Sequence, residues 1–196
     1  ALLAYGMSGK VFHAPFLTTH PGFELLAVAE RTEQRMHLDY PTIRSYPSVA
    51  ELLTDANLEL VVVNTPSSTH FELASQAMRA GKHVLLEKPV ATSVAQLQEL
   101  LALAKQTGRH LLAYQNRRWD SDFGAVARMV ACGQLGQLLE AHLRFDRYKP
   151  ALNAKKFKEE PGPGAGLLYD LGPHLIDQAI SLFGQPLSAR KTVGYH

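Results

Sequence analysis

At 196 residues the chain has room for one large domain, or for one complete domain and part of a second. Hydrophobic residues at 46% and charged residues at 19% are globular values, which excludes a disordered or fibrous chain. Twenty Lys and Arg against 18 Asp and Glu leave a net charge of +2, too balanced for a nucleic-acid binder, and no basic run exceeds two residues.

Residues 1–5 read as a short apolar strand, 6–9 as a turn and 10–19 as a helix. The turn signal His20-Pro21-Gly22 precedes a strand over 23–29, and Ser48 is a candidate N-cap for a short helix over 49–53. Residues 58–63 are apolar but for Glu59, the pattern of a strand buried on both faces of a parallel sheet. A helix over 69–80 stops at Gly81, and a strand over 83–86 is closed by Glu87-Lys88-Pro89. Val94, Leu97, Leu101 and Ala104 recur at three- and four-residue spacing, which predicts a helix that buries this stripe and ends at Gly108. A strand over 110–114 follows. This β-α-β alternation predicts an α/β fold, a doubly wound parallel sheet with helices on both faces.

Beyond it the pattern changes. A helix over 122–131 leads to Gly133 and Gly136, then to an alternating stretch over 137–148 that reads as one strand of an open sheet. A Gly- and Pro-rich loop over 159–166 precedes a largely helical segment over 167–183. Two domains are expected: 1–118, a nucleotide-binding domain, and 119–196, the incomplete start of a second. The chain opens at Ala1 inside an apolar run and closes on 191–196, which resembles an interrupted strand, so it reads as a piece of a longer protein.

Gly6-Met7-Ser8-Gly9 lies between a strand and a helix. Backbone approaches a pyrophosphate closely only where side chains are absent, and a helix N-terminus offers free N–H groups. Gly6 and Gly9 match the last two glycines of G-x-G-x-x-G, while Ala4 stands where the first belongs. The acidic residue that takes ribose hydroxyls belongs about 20 residues further on, and Glu30 is in register. Its neighbour Arg31 suits a 2′-phosphate instead. Glu30 favours NAD and Arg31 favours NADP, so both cofactors stay open; a solvated Glu-Arg pair opening a loop is the plainer reading.

Lys88 leaves the carboxyl end of a buried strand, where ligands bind in parallel sheets, and a lysine beside a desolvated cofactor serves in proton transfer. A solvated strand-end lysine is the ordinary alternative. Asp170, His174 and Asp177 are spaced to share one helix face, and a carboxylate beside an imidazole orients it for acid/base work. Pro173 either begins that helix or kinks it. A capping Asp170 with a satisfied histidine is the structural alternative. Asn116-Arg117-Arg118-Trp119-Asp120 suits either contacts to a nicotinamide or substrate, or arginines neutralising Asp120 and Asp122 with Trp119 as a packing anchor. Nine histidines show no paired spacing with a carboxylate, and the lone Cys132 has no partner, so no metal site is expected.

These motifs, taken together, resemble the Gfo/Idh/MocA oxidoreductases, named after glucose–fructose oxidoreductase, inositol dehydrogenase and a rhizopine-catabolism protein. The resemblance is carried by Thr65-Pro66-x-x-x-His70, Ala80-Gly-Lys-His-Val84, Glu87-Lys88-Pro89 and Asp170-x-Gly172-x-His174-x-x-Asp177, from Ala4 to about Phe183. Lys10-Val-Phe-His-Ala-Pro15 and the Asn116–Asp120 motif are similar to a branch that includes scyllo-inositol dehydrogenases. The resemblance implies a Rossmann domain followed by an α/β domain with an open, mostly antiparallel sheet used for dimer or tetramer contacts. It implies hydride exchange between NAD or NADP and a hydroxyl carbon of a sugar, cyclitol or related polyol. It also implies that Lys88 hydrogen-bonds the reacting oxygen, that His174 is the acid/base and that Asp170 orients substrate. Thr65, Pro66 and His70 would line the nicotinamide side, with Glu87 and Asn116 nearby, and Gly6, Met7, Ser8 and Gly9 would hold the phosphates. Ala4 in place of glycine requires negative φ there.

A non-catalytic NAD(P)-binding module or redox sensor is the rival reading; a complete lysine and Asp/His set argues against it. A single cysteine unable to form an internal disulfide fits a reducing cytoplasm, apolar runs are strand-sized rather than membrane-sized, and no leader is visible.

Overall fold

A computed structural model of the chain describes residues 1–146, 148, 151 and 162–192. Short parallel segments form its centre. β1 (Ala27–Ala29) pairs with β2 (Arg44–Tyr46), and β3 (Leu60–Val63), β4 (His83–Glu87) and β5 (Leu111–Tyr114) pair in that order, all parallel. The N-terminal segment joins the two groups, since Leu2 bridges Val28 on one side and Val62 on the other. Leu2 N–H donates to Ala27 O, Ala29 N–H to Leu2 O and Leu3 N–H to Val62 O. The order is therefore β2, β1, the N-terminal segment, β3, β4, β5, which is that of a doubly wound dinucleotide-binding sheet. The direction of winding reverses between the N-terminal segment and β3, and a crevice opens there beyond the carboxyl ends of the strands.

Residues alternate between the two faces of the sheet, as a period of two requires. Leu3, Val61, Val63 and Val84 point to the face covered by α3 (Val49–Thr54), α4 (His70–Arg79) and α5 (Val94–Thr107), where Leu52, Ala74, Met78 and Leu100 meet them. Leu2, Val28 and Val62 point the other way, to Ala14 of α1 (Ala14–Thr19) and Met36 of α2 (Met36–Asp39). Each fully buried Val or Leu contributes about 1.5–3 kcal/mol, so these central residues are the main source of stability.

The helices begin and end where the chain dictates. Ser48 Oγ accepts from Glu51 N–H and donates to Glu51 Oε1, a reciprocal cap on α3. Ser93 caps α5, and Gly108 ends it in the left-handed conformation at φ 65°. The stripe expected on α5 is corrected. Val94 and Leu101 are exposed, whereas Leu100 and Leu103 are buried. Leucines at 97, 100, 101 and 103 give the helix two overlapping apolar stripes, and the contact with α4 selects between them.

Other differences are local. The turn over 6–9 is already helical from Met7, and Gly9–His13 widens into a π-helical turn before α1. Pro15 explains the widening. It has no N–H for the carbonyl one turn earlier and its ring crowds that carbonyl, so the preceding turn opens. The strand expected over 23–29 pairs only over β1, and α2 and β2 fall in a stretch that offers only short apolar patterning. The stretch over 137–148 forms no strand among its described residues: 137–146 run without regular structure and largely exposed. Residues 147, 159–161 and 193–196, parts of three expected segments, lie outside the described residues. Helix α6 (Ser121–Ala131) matches its expectation. The helical segment over 167–183 divides at Leu171 into α7 (Leu167–Asp170) and α8 (Gly172–Phe183), because Pro173 stands in the first turn of a new helix.

Candidate active site

Gly6 and Gly9 do different work. A Cβ on Gly9 would lie 2.4 Å from Ala4 O and 2.9 Å from Asn64 Nδ2, so helix and strand pack only around a glycine. A Cβ on Gly6 would meet nothing within 4 Å; the room in front of it belongs to whatever approaches the turn. Ala4 takes the place of the first glycine without strain, since no non-glycine residue among those described has positive φ. The Asn64 side chain holds both its backbone groups, accepting from Ala4 N–H at 3.1 Å and donating to Ala4 O at 2.8 Å. A cavity of about 720 Å³ opens beside Gly6 and runs to Glu30, Arg31 and Arg35 on one side and to Thr65 and Pro66 on the other. This size lies within the range of cofactor pockets. Gly6, the helical N–H groups beyond it and the cavity together fit a dinucleotide.

Below the turn, Glu87 is a largely buried carboxylate, its side chain 13% exposed. Its Oε1 accepts from Ser8 Oγ at 2.5 Å and pairs with His13 Nε2 at 2.9 Å. Burial pushes the carboxyl pKa up, but the bonds from His13 and Ser8 outweigh it and hold the group below its ordinary value. The His13 ring lies against Tyr114, centroids 4.4 Å apart, and Tyr114 Oη donates to Phe12 O. His13 reaches Glu87 because it ends the widened π turn. Glu87 therefore ties the phosphate-turn helix to the end of β4, and its neighbour Lys88 emerges beyond it.

Lys88 Nζ donates to Asp170 O at 2.6 Å and lies 3.3 Å from Asp170 Oδ1. His174 follows on the first turn of α8, only 6% exposed, and its Nδ1 has no hydrogen-bond partner among the described residues. Its pKa is lowered to about 4, first by burial and then by the Lys88 and Arg117 cations, so the imidazole is neutral at neutral pH. Lys88 and Asp170 meet, but Asp170, His174 and Asp177 do not share one helix face. Asp170 belongs to α7, and Asp177 turns away to a bidentate pair with Arg118, with Nε to Oδ2 at 3.0 Å and Nη2 to Oδ1. Of the packing reading of the Asn116–Asp120 motif, only part holds. Arg117 pairs with Asp120 at 3.1 Å, whereas Trp119 is 85% exposed and anchors nothing. Asn116 opens the 3-10 turn Asn116–Trp119 that carries both arginines.

His70 is buried at the start of α4, with Nδ1 2.7 Å from Pro89 O and Nε2 2.9 Å from Thr65 O. It holds together the loops that carry Lys88 and Thr65 rather than facing the cavity. Met7 is exposed, and Thr65 and Pro66 line the cavity. Glu30 and Arg31 part company. The Glu30 carboxylate accepts from Arg35 N–H at 3.0 Å and from Ser45 Oγ at 3.2 Å, while the Arg31 side chain is exposed at the cavity edge. Sequence reasoning gave no role to His13, Asn64, Arg35 or Ser45. His13 sits inside a motif that drew notice, but its pairing with Glu87 depends on a helical distortion that no residue count reveals.

A profile of the oxidoreductase family with an NAD-binding Rossmann fold matches residues 1–115, and one of the GFO/IDH/MocA C-terminal domain matches 123–195. The chain belongs to the Gfo/Idh/MocA oxidoreductase family. It is 44% identical over 187 residues to the uncharacterized oxidoreductase YdgJ of Escherichia coli K12, covering 95% of this chain and 54% of that protein. It is 34% identical over 192 residues to the scyllo-inositol 2-dehydrogenase (NADP(+)) IolW of Bacillus subtilis 168, covering 98% of this chain and 53% of IolW. An oxidoreductase structure from Bacillus cereus superposes with a TM-score of 0.83 at 35% identity, over 94% of this chain and 53% of that one. The chain spans about half the length of these relatives. Its first part is an NAD-binding Rossmann domain of this family. No helix among the described residues is long and apolar enough to cross a membrane.

Proposed function

We propose that the protein oxidises a CH–OH group of a sugar, cyclitol or related polyol, with NAD or NADP as hydride acceptor, using Lys88, His174 and Asp170. The observation that carries this reading is the meeting of Lys88, at the end of β4, with Asp170, and the neutral, buried His174 whose ring feels both charges, 82 and 86 positions further on. A nicotinamide dinucleotide held at the Gly6 turn and along the cavity would supply the two-electron acceptor for the carbinol hydride, the substrate becoming a carbonyl. His174 receives the hydroxyl proton. That role requires a neutral ring, and the Lys88 cation together with burial keeps it neutral. Lys88 donates a hydrogen bond to the reacting oxygen and stabilises the negative charge that gathers there. Asp170 holds Lys88 and offers an acceptor to a further substrate hydroxyl. Gly6, Met7, Ser8 and Gly9 hold the phosphates, Thr65, Pro66 and Asn116 border the nicotinamide, and His70 and Glu87 fix the loops around it.

The inositol named for IolW supports a cyclitol or polyol substrate. Residues 1–118 are taken as the cofactor domain and 119–196 as the beginning of the substrate domain. Exposed Leu135, Leu138 and Leu139 support a homodimer or homotetramer built through the latter part, and the free Cys132 supports a cytoplasmic setting. The test is NAD(P)H formation across a panel of inositols, aldoses and alditols. Turnover with one of them, lost in Lys88→Ala and His174→Ala, is expected. Cofactor binding without turnover on any full-length version would overturn the reading in favour of a binding module.

A further inference from the structure

We propose that the chain selects NADP(H) over NAD(H), with Arg31, backed by Thr32 and Arg35, reading the ribose 2′-phosphate while Glu30 is withdrawn from the ribose site as a structural cap. This rests on the dinucleotide reading above. An acidic residue at the end of the second strand of such a sheet takes ribose hydroxyls through free carboxylate lone pairs. Three donors already engage most of those of Glu30. Oε1 accepts from Arg35 N–H at 3.0 Å and Met36 N–H at 3.4 Å, and Oε2 accepts from Met36 N–H at 3.3 Å and Ser45 Oγ at 3.2 Å. These bonds cap α2 and fasten the loop 31–35 to β2. Two backbone amides and a hydroxyl also offset the charge of Glu30, which weakens its repulsion of a phosphate.

The loop so fastened presents Arg31, Thr32 and Arg35 to the same cavity as Gly6. Arg35 gives its Nε to Glu33 Oε2 at 2.5 Å, which fixes its direction. Among the described residues no hydrogen bond or ion pair engages the Arg31 side chain, although Glu30, Glu33 and, across the cavity, Glu72 are near enough to share its walls. A planar guanidinium without a counter-ion at the ribose end of the cavity matches a phosphate in charge and in paired donor geometry.

Titration calorimetry of the purified chain with NADPH and with NADH tests this, repeated on Arg31→Ala and Arg31→Lys, with adenosine 2′,5′-bisphosphate and 5′-AMP as competitors. Expected is NADPH binding at least about tenfold tighter than NADH, a ratio that falls close to one in Arg31→Ala and recovers in part in Arg31→Lys. The bisphosphate should outcompete 5′-AMP on the unaltered chain and lose that advantage in Arg31→Ala. Equal or tighter binding of NADH, or an equal loss of both cofactors in Arg31→Ala, would overturn the selectivity and leave the dinucleotide reading standing. Binding of neither cofactor would overturn both.

Discussion

Lys88 Nζ lies 2.6 Å from the backbone carbonyl oxygen of Asp170, a contact that spans 82 positions and joins the carboxyl end of β4 to the turn before α8. The contact orients the ammonium and brings His174, one turn later, into the same desolvated space. A lysine held by a carbonyl and a carboxylate, facing a neutral imidazole, has the parts for moving a proton off a hydroxyl.

Substituting either partner should therefore remove chemistry and spare binding. Lys88→Ala and His174→Ala are each expected to lower turnover by about a hundredfold or more, with the cofactor dissociation constant changed by less than about threefold. Steady-state rates with calorimetric titration alongside check it. Loss of cofactor affinity equal to the loss of turnover would assign the residues to binding.

Gly6 and Gly9 should separate in the same way. Gly9→Ala forces a methyl against the Ala4 carbonyl at 2.4 Å and is expected to cost about 2–3 kcal/mol of stability. Gly6→Ala meets no protein atom and needs no positive φ, so its unfolding midpoint should stay within about 0.5 kcal/mol of the parent. Its cofactor affinity should fall, because the added methyl occupies the space facing the pyrophosphate. Denaturant melts and titrations on both variants decide it.

Arg118 and Asp177 clamp α8 to the turn after β5, with Asp177 only 11% exposed. Arg118 is half-exposed, so solvent screens the pair, and a double-mutant cycle of Arg118→Ala and Asp177→Asn should give a coupling of about 1 kcal/mol. Turnover should fall more than stability explains, since the clamp sets where His174 stands. A cycle with no coupling in either measurement would reduce the pair to a surface contact.

Acidification should destabilise the fold through His174. Its folded pKa of about 4 lies below the ordinary 6.5, so between these values the unfolded chain binds a proton that the native one refuses. Stability is fully present above 6.5, declines as pH falls toward about 4 and then levels off. Glu87 adds to the loss only lower down, because a depressed carboxylate gives up its contribution as pH drops below its ordinary 4.5. Thermal midpoints of the parent and of His174→Gln between these limits should converge as pH falls. Parallel curves would show that His174 is not the group being charged.

Much of this was written in local pattern. Unbroken apolar runs such as Leu60–Val63 commit to buried parallel strands because nothing polar in them tolerates solvent, and Ser48, Ser93 and Gly108 mark helix ends through bonds and dihedrals confined to a few neighbours. The positions of Lys88 and His174 were legible because strand ends and helix starts are local events. What the sequence could not decide was which groups meet. Two apolar stripes on α5 were equally good until α4 packed against one, and Asp177 was spaced for His174 but met Arg118 instead. Glu30 was in register for a ribose, yet the N–H groups of α2 and the hydroxyl of Ser45 claimed its carboxylate first. Hydrogen bonds and burial are pairwise, and a linear pattern names one member of each pair; only the folded chain supplies the other.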